Sequence, residues 1–76
     1  MCTEITNTTT VTGSGRDGDD WFKLAKAVVY FDHPQDAPAE HALCIDLWDE
    51  ATAQRVAVEL DPDSARRLAE TILATI

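Results

Sequence analysis

The apolar pattern of the chain changes period once, at Asp61, and this junction constrains the fold more than any other feature. Before it, Val56, Val58 and Leu60 alternate with Arg55, Ala57 and Glu59, a period of two that places one row of aliphatic side chains on one side of a strand. After it, Ala65, Leu68, Ala69, Ile72, Leu73 and Ile76 recur at three- and four-residue steps, the stripe of an amphipathic helix. The junction itself is a helix start. Asp61 is a capping residue, Pro62 suits the first helical position, and Asp63 complements the positive end of the helix dipole. A strand followed directly by a helix with one apolar stripe predicts a sheet with that helix lying on it, the stripe facing the core.

The rest of the chain supplies the sheet. Residues 41 to 48 alternate Leu43, Ile45 and Leu47 against Cys44, Asp46 and Trp48, and predict a third strand, with a turn over 49 to 54. Residues 1 to 12 are Thr-rich and carry Ile5 and Val11, which suits a strand with a wet face. Three glycines within residues 13 to 18 predict a turn over 13 to 20, and a second strand follows from about 21 to 31. The start of that strand also satisfies helical spacing through Trp21, Leu24, Ala25 and Val28. The expected architecture is α+β, one domain over residues 1 to 76: a four-stranded antiparallel meander with one C-terminal helix packed on one face, ββββα.

Seventy-six residues bury only about 60% of their unfolded surface, so a core of this size needs help from a metal, a disulfide or self-association. One helix covers one face of a sheet. The second face, with Val28, Tyr30, Cys44 and Trp48 between Lys26, Asp46 and Arg55, is too apolar for water, and a homodimer stacking those faces is the economical expectation. Asp46 calls for a cross-strand partner such as Lys26 or Arg55.

Fourteen acidic against six basic residues give a net charge of −8, and the basic residues are dispersed. That field repels phosphate, which argues against nucleic acid and anionic membrane as partners and favours cationic ligands or metal ions. No apolar stretch reaches membrane-spanning length and no leader pattern is visible, so the expected setting is the cytoplasm, with Cys2 and Cys44 as reduced thiols.

His33 and His41 stand at the two ends of one Pro-containing connection, and if the flanking runs pair as a hairpin the two meet at its base. Each follows a carboxylate, Asp32 and Glu40. In a meander the start of strand one lies beside the end of strand two, which brings Cys2 near Asp32 and His33. Cys2, Asp32, His33 and His41 are therefore the candidate ligands for a divalent transition metal, zinc, iron or copper. Cys44 is left out of the set because, three residues from His41 on a strand, it points to the other face. The plain alternative is a pair of solvated hairpin residues. Without metal, Cys2 or Ser14 with His33 or His41 is the nucleophile and base pairing on offer. Gly13 to Gly18 spell G-x-G-x-x-G, but the Thr-rich run before them and Asp17, Asp19 and Asp20 argue for a turn rather than a nucleotide loop.

Taken together, the blocks MCTEIT, GSGRDGDDWF, VVYFDHP, EHALCIDLW and RVAVELDPDSARRLAETI resemble a family of small actinobacterial proteins, a domain of unknown function. The resemblance covers nearly the whole chain. It implies a bacterial cytoplasmic setting and carries no activity, cofactor or partner. The functional expectation is a small accessory or interaction domain acting as a homodimer, and the alternative is a metal-binding protein or metalloenzyme with its site at the end of the sheet.

Overall fold

The computed structural model describes residues 5–33, 40–49 and 51–76. Four strands, β1 (Thr6–Asp17), β2 (Asp20–Asp32), β3 (Ala42–Trp48) and β4 (Arg55–Leu60), form one antiparallel sheet in the order β1-β2-β3-β4, and helix α1 (Pro62–Thr75) follows. This is the expected ββββα meander.

The register sorts the side chains as the alternation requires. Val29, Phe31, Leu43, Ile45, Leu47, Val56, Val58 and Leu60 are cross-strand neighbours on the face that carries α1. Lys26, Val28 and Tyr30 lie opposite Trp48, Asp46 and Cys44 on the helix-free face, completed by Arg55, Ala57 and Glu59 of β4.

The first hairpin differs from expectation. β1 continues to Asp17, and the turn contracts to Gly18 and Asp19, with Asp17 paired to Asp20. Gly18 has φ 61° and Asp19 does not enter the left-handed region, the pattern of a two-residue turn with glycine first. Gly13 and Gly15 thus lie within the strand, and tertiary packing is the reason. The pairing slips between Thr10 and Gly13, where Val11 and Thr12 face one residue of β2, and such a bulge bends and twists a strand. The bent hairpin reaches β4 at the opposite edge of the sheet: a Cβ on Gly15 would lie 3.1 Å from Leu24 and 3.3 Å from Val56. Inward positions on β2 accordingly change parity, from Phe22 and Leu24 at the bent end to Ala27 beside Leu47.

α1 begins as expected and packs otherwise. The Asp61 carboxylate accepts a 2.8 Å bond from the Ser64 N–H and a 2.9 Å bond from the Ser64 hydroxyl. Its first turns touch the sheet, Pro62, Ala65 and Ala69 standing over Phe31 and Leu43 around a concavity of about 370 Å³. Among the described residues, the rest of the stripe is left largely uncovered. Leu68, Ile72, Leu73 and Ile76 are 42%, 51%, 72% and 94% exposed, and no residue of the helix is buried. The reason is the connection: only Asp61 separates β4 from α1, so the cap and the strand edge set the direction of the helix, and its second half leaves the sheet.

The two hydrogen bonds from Ser64 hold the Asp61 carboxyl below the usual carboxylate range. A depressed folded pKa contributes stability that is present above the unfolded value, about 4, and is lost as pH falls through the folded one. Asp61→Ala is therefore expected to lower the melting temperature by several degrees at pH 7. The gap to the parent should close in melts run at progressively lower pH, below the folded value.

Candidate functional site

At the end of the β2–β3 hairpin the register ends on Asp32 paired with Ala42, which sets His33 opposite His41. The imidazoles stack, with ring centroids 4.9 Å apart and planes 21° from parallel. Phe31, two residues before His33 on the same side of β2, stacks on the other face of His41 at 5.5 Å and 10°. Three rings thus form a ladder on the helix-side face, with His41 held in the middle and His33 exposed at the end. The His33 Nδ1 lies 3.0 Å from the Glu40 carbonyl oxygen, which can only accept, so in the neutral ring Nδ1 carries the hydrogen and Nε2 keeps its lone pair.

The expected ligand set is only partly assembled. His33 and His41 meet. Asp32 adjoins them, but its carboxylate accepts a 2.8 Å bond from the His33 N–H, and strand alternation turns its side chain to the other face. Cys2 lies outside the described residues, and among the described residues no group of three or more His, Cys, Asp or Glu side chains is arranged to hold a metal ion. Ser14 pairs with Lys23, ten residues along β2 from His33, which is about 30 Å of extended chain, so this nucleophile and base cannot meet. Phe31 was not foreseen as the third ring, although its place two residues before His33 was a usable signal.

The helix-free face holds the second polar group. Asp46, 7% exposed, sits in the middle of β3, and its Oδ2 accepts from the Tyr30 hydroxyl at 3.3 Å and from Arg55 Nη1 at 3.5 Å. Arg55 and Lys26 flank the Trp48 ring at 5.2 and 5.9 Å, which covers the apolar part of this face with long side chains. Of the two partners expected for Asp46, Arg55 is the one that reaches it.

Next to Asp46 lies the buried Cys44, its thiol 3.8 Å from the Ala42 carbonyl oxygen. Burial foremost, then the charges of Glu59, Asp32 and Asp46, push this thiol up, against a hydrogen bond with Tyr30 that works the other way. Burial and then the Asp46 charge push the Tyr30 hydroxyl up as well. A raised thiol is a poor nucleophile, so this face stores a packed, protonated cysteine. In a Cys2→Ser background Cys44 is expected to react with a thiol reagent at the rate of unfolding at neutral pH. Fast labelling of native protein would show that the sheet opens locally there.

Residues 1–76 match one protein family along their whole length. The chain belongs to DUF6295, a family of unknown function. No curated protein and no solved structure matches it. What this DUF6295 chain offers chemically is therefore read from its own surface: a ring ladder at the hairpin end, a self-paired carboxylate on the helix-free face, and an open apolar stripe on α1. No described helix is long and apolar enough to cross a membrane.

Proposed function

We propose that this DUF6295 protein is a small cytoplasmic accessory or interaction domain that works as a homodimer and has no catalytic role of its own. The observation that carries the reading is α1, whose apolar stripe is uncovered through its second half. Ile72, Leu73 and Ile76 of that stripe are 51%, 72% and 94% exposed, which adds the helix side to the helix-free face as a surface for self-association. On the other side, Val28, Tyr30, Cys44 and Trp48 are already at least half-buried by their neighbours. The net charge of −8 keeps nucleic acid and anionic membranes unfavourable as partners.

Light scattering at micromolar concentration tests this directly: twice 8.3 kDa is expected, with a melting temperature that rises with protein concentration. A monomer whose melting is independent of concentration would overturn the reading.

A second reading is a metal-binding protein with Cys2, Asp32, His33 and His41 as ligands to zinc, iron or copper. The observation favouring it is the pair of stacked imidazoles, with His33 Nδ1 turned to a carbonyl oxygen, the arrangement by which a backbone acceptor orients a metal-ligating histidine. Metal analysis of untagged protein, with titration of zinc into the parent and a His33→Ala, His41→Ala double variant, tests it. Equal affinity in both proteins would remove the reading.

A further inference from the structure

The helix-side face is wider than the helix that covers it. Four strands spaced about 4.8 Å apart give a face roughly 15 Å across between the outer strand axes, and a helix with its side chains covers about 10 Å. α1 stands on the β3 and β4 side. On the β1 and β2 side, Ile5, Asn7, residues Val29 to Phe31 and Leu43 line a second concavity of about 280 Å³, with Ile5 63% exposed at its rim. Because Phe31 and Leu43 also line the concavity under α1, the two adjoin as an apolar trough alongside the helix.

One chain therefore carries an apolar trough alongside the helix and, among the described residues, a helix stripe left largely uncovered. They cannot meet within one molecule. Ala65 and Ala69 form a wall of the trough, and Ile72, Leu73 and Ile76 continue the same helix beyond it, so the stripe cannot turn back into the groove its own first turns border. We infer that the trough seats the second half of α1 from a second copy, the contact being made twice about a two-fold axis. This geometry rests on the homodimer reading above. Symmetry and charge select a second copy as the occupant. A reciprocal contact covers both open surfaces and closes at two chains, leaving no spare binding face. Residues 71–76 carry no charged side chain in a chain of net −8, and Arg66 is the one charged side chain on the trough, so two acidic copies meet there without opposing like charges.

The test uses two full-length proteins in a Cys2→Ser background, one with Asn7→Cys at the trough and the other with Leu73→Cys on the stripe. Oxidised together they are expected to form a disulfide-linked dimer, and oxidised separately they are not. Ile5→Glu and Leu73→Glu, both at positions exposed in the single chain, are each expected to weaken the dimer at least about tenfold, as loss of a central interface contact does. Circular dichroism should show both still folded. A dimer that is insensitive to Ile5→Glu, or that cross-links through Leu73→Cys alone, overturns this seat and leaves the homodimer reading standing. A parent protein that is monomeric throughout overturns both.

Discussion

Gly15→Val is expected to destabilise the fold by roughly 1–3 kcal/mol, the range for forcing extra methyl groups into a packed site. The same substitution at Gly13, two residues earlier, should be neutral or slightly stabilising. Both glycines lie in β1, and both substitutions bring a residue that favours strands. They differ in what surrounds the new side chain. A Cβ on Gly13 would meet nothing within 4 Å, whereas on Gly15 it would lie 3.1 Å from Leu24 Cδ2 and 3.3 Å from Val56 Cγ2, before the two further methyl groups of valine are placed. Leu24 can shift, being the end of a flexible side chain; Val56 belongs to β4 and holds the bent hairpin against the far edge of the sheet. Urea denaturation of the two variants compares them directly. Equal midpoints would show that the first hairpin does not rest on β4.

Arg55→Ala should have the next largest effect, a loss of about 1–3 kcal/mol, since it removes the countercharge from a carboxylate that is 7% exposed. The lower part of that range is expected. Both contacts to Asp46 Oδ2 are long, 3.3 Å from the Tyr30 hydroxyl and 3.5 Å from Arg55, and the arginine side chain is 48% exposed, so solvent already screens the pair. Removing Arg55 also uncovers one side of the Trp48 ring. Asp46→Asn should cost less, because the amide oxygen still accepts from Tyr30 and no buried charge remains. In the double variant the two losses should not add: once the carboxylate is gone, only the contact with Trp48 is left for Arg55 to lose. Additive losses measured by chemical denaturation would show that Arg55 acts through Trp48 and not through Asp46.

Much of this protein is legible in nearest-neighbour patterns. The period of two over residues 43–48 and 55–60, the switch at Asp61 and the capping residues after it determine two strands and a helix, because each depends on side chains a few positions apart. The meander follows from short connections, and the meeting of His33 and His41 follows from their places at the two ends of one of them. Three features were decided by contacts that no local pattern encodes. Gly13 and Gly15 carry the composition of a turn and lie in a strand, because the hairpin bends at the bulge and Gly15 comes against Val56 from the opposite edge. Tyr30 and Asp46 touch because the register of β2 on β3 sets them on one face as diagonal neighbours, two residues out of register. The stripe on α1 is the sharpest case. Helical periodicity says which side of a helix is apolar; whether anything covers that side depends on the direction in which the helix leaves the sheet, and here a one-residue connection and a capped first turn carry Ile72, Leu73 and Ile76 away from the strands that the pattern alone would place beneath them.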